Sequence, residues 1–136
     1  MGDSNPRALI DHLAERLNSF GLAYLHIIEP RISRADTVND TERPVATEEL
    51  GKHFHGPIIA AGGFTAETAE RAIRDGLASL IAFGRFFTSN PDLPFRLKSE
   101  LPLTPYDRST FYAFDAKGHT DFPAYDAVAN QAVEHA

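Results

Sequence analysis

The sequence predicts an α/β domain built on a short parallel sheet, and three observations predict it. Three mostly apolar runs, at 22–28, 57–61 and 79–83, have strand length and no polar face, as strands buried on both sides do. Helix-start and helix-stop signals lie before, between and after them. The two kinds of segment alternate along the chain, which is the pattern of successive βα units.

The first element is a helix. Asn5 can cap free backbone N–H groups, and Pro6 suits the first helical position. Leu9, Ile10, Leu13, Leu17 and Phe20 follow at helical spacing, and Gly21 stops the run. The first strand, Leu22 to Ile28, ends at Glu29-Pro30. The polar stretch 31–46 holds Arg34, Asp36, Asn39, Asp40, Glu42 and Arg43, and is long for a connection, so it is either a functional loop or a mobile one. Thr47 is placed to cap a short helix over Glu48 to Phe54. The second strand, Pro57 to Ala61, is broken by Gly62-Gly63. Thr65 then caps a helix from Ala66 to about Asp75, with Ala69, Ala72 and Ile73 on its apolar side. The third strand, Ser79 to Phe83, ends at Gly84-Arg85, and Pro91 starts a last helix. After Leu101 the chain is rich in Pro, Tyr, Phe, Asp and Thr without a period. Residues 100–136 read as an irregular, wrapping tail, and 1–136 as a single domain.

Composition narrows the function. With 136 residues, 43% hydrophobic and 24% charged, the chain supports one modest core and is globular rather than disordered. A net charge of −6 argues against a nucleic-acid backbone as partner. Without cysteine there is no disulfide, thiolate metal site or thiol nucleophile. The N-terminus has no apolar signal-like core, and no apolar run approaches the roughly 18 residues of a membrane span. The expectation is a soluble, cytoplasmic protein.

Two strand ends carry the most specific chemistry. Gly62-Gly63 leads directly into a capped helix, a junction that offers N–H groups and a positive helix end to a phosphate. Gly84-Arg85 pairs a residue that permits close approach with a guanidinium that can grip a phosphate in two-pronged fashion. Taken singly, each glycine reads as a turn of the chain. In consecutive βα units they match the phosphate site that the last two loops of a (β/α)8 barrel form. No G-x-G-x-x-G is present, so a Rossmann site is not indicated. His53 and His55 stand at i and i+2 at a helix end and read as solvated, with no metal site. His26, at a strand end, reads as packed or hydrogen-bonded. Asp36, Asp40 and Glu42 form no acid/base pair.

Several segments occur together in order: Ala23-Tyr24-Leu25-His26, Glu29-Pro30-Arg31, Ala61-Gly62-Gly63-Phe64-Thr65, Ala82-Phe83-Gly84-Arg85, Ser89-Asn90-Pro91-Asp92-Leu93-Pro94, Tyr106-Asp107-Arg108, Thr110-Phe111-Tyr112 and Gly118-His119-Thr120-Asp121-Phe122-Pro123. Over almost the whole chain this resembles the C-terminal part of the old yellow enzyme family, the FMN-dependent ene-reductases that include the plant 12-oxophytodienoate reductases. His119 and Phe122 stand where the family commonly has tyrosines.

The resemblance implies a partial TIM (β/α)8 barrel, about the last three βα units plus a C-terminal wrapping tail. It implies FMN as cofactor, NAD(P)H as reductant and a small-molecule enone or nitro-type substrate. By the same resemblance Gly62, Gly63, Phe64, Gly84 and Arg85 hold the flavin phosphate. Phe111 and Tyr112 correspond to an aromatic pair near the substrate, with packing of the tail as the equal alternative. The family's substrate-anion pair, its tyrosine proton donor and the residues around the flavin ring come from earlier strands, so no catalytic residue is assigned, and the chain begins inside the barrel. The expectation is an oxidoreductase part that is inactive alone. Two other readings stand beside it: a non-catalytic phosphate-ligand or interaction module complementing a separate N-terminal half, and a truncated gene product.

Overall fold

The Asn5 side chain accepts a hydrogen bond from the Ala8 N–H at 3.3 Å, and with Pro6 at the first helical position it starts α1 (Pro6–Leu17) as the sequence predicts. The computed structural model describes residues 4–29 and 45–125. Residues 31–44 of the polar stretch 31–46 and the last part of the tail, 126–136, lie outside the described residues. The described chain divides into two compact units, with the boundary between Ala82 and Phe83.

The first unit is a three-stranded parallel sheet with helices between the strands. After α1 one turn of 3-10 helix (Asn18–Phe20) ends at Gly21, whose φ of 60° is the left-handed conformation that glycine adopts without cost. Strand β1 (Leu25–Ile28) pairs in parallel with β2 (Ile58–Ala61), and β2 pairs in parallel with β3 (Leu80–Ala82). The strand order is β1-β2-β3. Between β1 and β2 lies α2 (Val45–Gly51), and between β2 and β3 lies α3 (Ala66–Arg74).

The core forms on the helix side of the sheet. Ala14 of α1, Ile27 of β1, Phe54 and Ile58 of β2 are buried together, and Leu17, Leu25, Ala46 and Leu50 pack around them. Phe54 sits so close to the backbone at Gly56 that a Cβ there would lie 2.6 Å from the ring, so this turn needs glycine. On α3, Ala69 and Ala72 are buried. Asn18 joins α1's end to the chain after α2: its amide nitrogen donates to the His53 carbonyl at 2.7 Å, and its oxygen accepts from the His55 N–H at 2.9 Å.

The structure corrects several expectations here. The strands are buried on one face only. Ile27 and Ile58 are buried, whereas His26 is exposed, Ile28 is 71% exposed and Leu80 58%. Successive side chains of a strand point to opposite faces, and among the described residues only one face of this sheet is covered by helices. For the same reason His26 is neither packed nor hydrogen-bonded among the described residues. Leu9, Leu13 and Phe20 are also exposed, so the apolar stripe of α1 is wider than the area it buries.

Thr47 does not cap α2. It lies inside the first turn, and the cap comes from Glu29, which is 1% exposed. The Glu29 carboxylate accepts from the Ala46 N–H at 3.1 Å, from the Thr47 N–H at 2.8 Å and from the Thr47 hydroxyl. A carboxylate placed on the first N–H groups of a helix satisfies them and suits the positive end of the dipole. The helix ends at Gly51 rather than Phe54. His53 is half-buried rather than solvated: its ring nitrogens lie 3.6 Å from Asp11 and 3.5 Å from Glu15, both on α1.

The second unit opens with α4 (Arg85–Ser89), which the sequence reading missed, and continues with α5 (Leu93–Lys98). Pro91 does not start α5: the helix begins two residues later, after Asp92. From Leu101 to Ala124 the only regular structure is one 3-10 turn at Arg108–Thr110. This segment is fastened by side chains rather than by a backbone ladder. Asn90, fully buried, donates to the Phe86 and Thr104 carbonyls at 2.8 and 3.0 Å and accepts from the Thr104 N–H at 2.8 Å.

Candidate phosphate and cofactor site

The residues predicted to hold a phosphate stand at the carboxyl ends of β2 and β3. The two strands run in register to the pair Ala61 and Ala82, so they end on the same edge of the sheet. Gly62 and Gly63 follow Ala61 directly, with φ of 114° and 65°. Both values lie in the region that favours glycine, so the backbone turn, and not merely a lack of bulk, requires these two residues. Phe64 is buried.

α3 begins at once, under a full capping box. The Thr65 hydroxyl accepts from the Thr68 N–H at 3.2 Å, and the Thr68 hydroxyl accepts from the Thr65 N–H at 2.8 Å. The sequence reading had this junction, with its helix capped by Thr65, offer free N–H groups to an anion. Thr65 and Thr68 take two of them, because a reciprocal box satisfies donors internally.

After β3, Gly84 has φ −98° and stands in open space, with no atom within 4 Å of where a Cβ would be. Arg85, the first residue of α4, is half-buried. Its guanidinium makes no hydrogen bond or ion pair among the described residues, and only its carbonyl is engaged, by the Thr88 hydroxyl at 2.7 Å. A half-buried guanidinium without an anion is a poor final arrangement for so strong a set of donors. The donor types present, glycine-rich backbone and a planar cation, are those a phosphate monoester takes. By donor chemistry, the glycine-rich backbone after β2 and the guanidinium of Arg85 each suit a phosphate.

The aromatic pair has split fates. Phe111 is half-buried in a row of rings: Phe86 meets Tyr106 edge-on at 5.1 Å, and Tyr106 meets Phe111 at 5.5 Å. Tyr112 is 91% exposed. Packing thus accounts for Phe111, while nothing in the second unit occupies the ring of Tyr112. No cluster of three or more His, Asp or Glu side chains suited to a metal ion occurs among the described residues, and no helix among them is long and apolar enough to cross a membrane.

Sequence reasoning missed the ion pair of Asp92 with the buried Arg96. Arg96 is 3% exposed and donates to Asp92 at 2.7 Å. Burial works against the charge of Asp92, but the Tyr125 N–H and the Arg96 guanidinium outweigh it and hold the carboxyl below its ordinary value. The i, i+4 spacing of Asp92 and Arg96 was a visible signal. Spacing alone does not report that Arg96 is buried.

Residues 4–104 match the model of the NADH:flavin oxidoreductase / NADH oxidase family. Phe111 and Tyr112 lie beyond the matched residues. The chain is 40% identical over 129 residues to 12-oxophytodienoate reductase 2 of Arabidopsis thaliana, covering 94% of this chain and 34% of that protein. It is 41% identical over 137 residues to a chanoclavine-I aldehyde reductase of Penicillium roqueforti, covering 97% and 36%. Among solved structures it superposes on morphinone reductase with a TM-score of 0.79 at 37% identity, covering 92% of this chain and 33% of that one. On the old yellow enzyme from Trypanosoma cruzi the TM-score is 0.76 at 35% identity. The chain spans about a third of the length of the curated relatives it matches. Its three parallel βα units are part of a TIM (β/α)8 barrel, the fold of these solved neighbours. The chain belongs to the NADH:flavin oxidoreductase / NADH oxidase family.

Proposed function

We propose that this chain is the flavin-phosphate-binding part of an FMN-dependent, NAD(P)H-reduced oxidoreductase acting on activated alkenes, in the cytoplasm. The observation that carries the reading is Arg85: a half-buried residue whose guanidinium has no anion among the described residues, directly after Gly84 and three residues beyond Ala82, which pairs in register with Ala61 just before Gly62-Gly63. Family membership supports the same cofactor. Gly62, Gly63 and Phe64 offer backbone to the phosphate, Gly84 leaves room for it, and Arg85 neutralises it. Bound FMN supplies the hydride chemistry; the chain's own part is to anchor the flavin's phosphate end. Tyr112, with Phe111 behind it, stands toward a small enone or nitro-type substrate. No residue here is assigned to proton transfer or to binding the substrate's oxygen.

The test is a titration of FMN into the protein, followed by quenching of flavin fluorescence. Quenching is expected for the wild type. Arg85→Ala removes a charge-assisted grip worth about 1.5–3 kcal/mol, so binding weakens on the order of 10- to 100-fold. No quenching at millimolar FMN rejects the reading.

A second reading is favoured by one observation: the sheet face bearing His26, Ile28 and Leu80 is exposed. In that reading the chain is an interaction module that pairs with a separate N-terminal half, which covers this face.

A further inference from the structure

We propose that Arg96, locked to Asp92, is the positioning residue for Phe111 and Tyr112: it acts on both ends of the segment that carries them. The assignment of that pair to the substrate side rests on the function proposed above, whereas the clamp itself does not.

The guanidinium of Arg96 reaches the chain in two separate places. One terminal nitrogen donates to the Pro102 carbonyl at 3.3 Å and to the Thr104 hydroxyl at 3.1 Å. The other donates to the Pro123 carbonyl at 3.1 Å, and the group lies over the Tyr125 ring at 5.6 Å. Its Nε is held by Asp92, whose second oxygen accepts from the Tyr125 N–H at 2.8 Å. One planar cation on α5 therefore fixes residues 102–104 and 123–125 together. Residues 105–122 become a closed excursion, with Phe111 and Tyr112 near its middle.

The excursion is also fastened across its width. A Cβ at Gly118 would lie 2.0 Å from the Thr110 hydroxyl oxygen, so the two limbs touch there, next to Phe111. Constraint at the feet is thereby transmitted to the aromatic pair. Lysine has three donors on one ammonium and no planar fork, so it cannot hold these four acceptors in their separate directions. A buried arginine that merely satisfied its own helix would not need acceptors from two distant stretches of chain.

The protein has no tryptophan and four tyrosines, which makes a direct test possible. Tyr24 is in the first unit; Tyr106, Tyr112 and Tyr125 are in the second. The full chain, labelled with 3-fluorotyrosine, is compared by fluorine NMR as wild type, Arg96→Met and Arg96→Lys. The expected result is that Tyr106, Tyr112 and Tyr125 shift or broaden in both variants while Tyr24 stays. Tryptic cleavage after the exposed Arg108 and Lys117 should accelerate roughly tenfold or more, the consequence of losing charge-assisted bonds that oppose local opening. The proposal is overturned if only Tyr125 responds, if Arg96→Lys restores the wild-type spectrum, or if α5 loses its amide-exchange protection in both variants, since Arg96 is then an ordinary core residue. Failure of the FMN reading is distinguishable: it shows as unquenched flavin with the wild type and leaves the tyrosine result unchanged.

Discussion

At the residue scale, buried polar groups rather than apolar ones settle how the loops are held. Glu29 follows β1 immediately, and its carboxylate takes two N–H groups and a hydroxyl at the start of α2. Replacing it with Gln leaves the shape but turns one acceptor into a donor facing donors. A cost of about 1–3 kcal/mol is expected, the usual penalty of an unsatisfied buried group, and urea unfolding followed by circular dichroism measures it. Asp92 makes a pH-dependent contribution. Its carboxyl is held below the ordinary 3.8 in the folded chain, so the unfolded state binds its proton first as acidity rises. The stabilisation is therefore present above 3.8 and is lost as pH falls through the lower, folded value. The stability gap between wild type and Asp92→Asn should be full at neutral pH and close in that acid window. A gap independent of pH would show that charge is not what Asp92 contributes.

At the element scale, α3 is the helix whose start was most legible. Thr65 caps it in sequence and in structure, and the structure adds the reciprocal bond from Thr68. Thr65→Ala should cost about 1 kcal/mol, on the scale of other N-cap losses, with the loss read by chemical denaturation. FMN quenching should change little, because the capped N–H groups serve the helix and not a ligand. The other helices show where pattern reading fails. Thr47 and Pro91 have the residue types of helix starts, yet α2 is started by a carboxylate from the preceding strand and α5 begins at Leu93. A capping group that comes from elsewhere in the chain leaves no local signature. α4 is five residues long, too short for an apolar period to be visible.

At the scale of the whole molecule, the exposed side of the sheet and the third of a relative's length that the chain spans lead to one expectation. The purified chain alone should not reduce 2-cyclohexenone with NADPH and FMN at family-like rates, because the groups that would bind the carbonyl and deliver the proton are not among the residues assigned. Family-like turnover by this chain would refute that. Size-exclusion chromatography addresses the uncovered face: self-association, or capture of a complementing half, is expected, and a clean monomer that stays dispersed argues against a missing cover.

What the sequence by itself determined is the order of elements, the parallel βα plan and the two glycine-marked strand ends, because strand length, helix spacing and turn chemistry are local properties. Gly62-Gly63 could be placed because a glycine pair after an apolar run marks a turn, and the positive φ values found there favour glycine. The tertiary structure alone decided which faces are buried, that Glu29 caps α2, that Arg85 is left without an anion among the described residues while Arg96 is fully engaged, and that Phe111 packs where Tyr112 does not. The two arginines look alike in sequence. Their roles differ because burial and partners come from chain segments far apart in sequence, and no spacing rule reports on those.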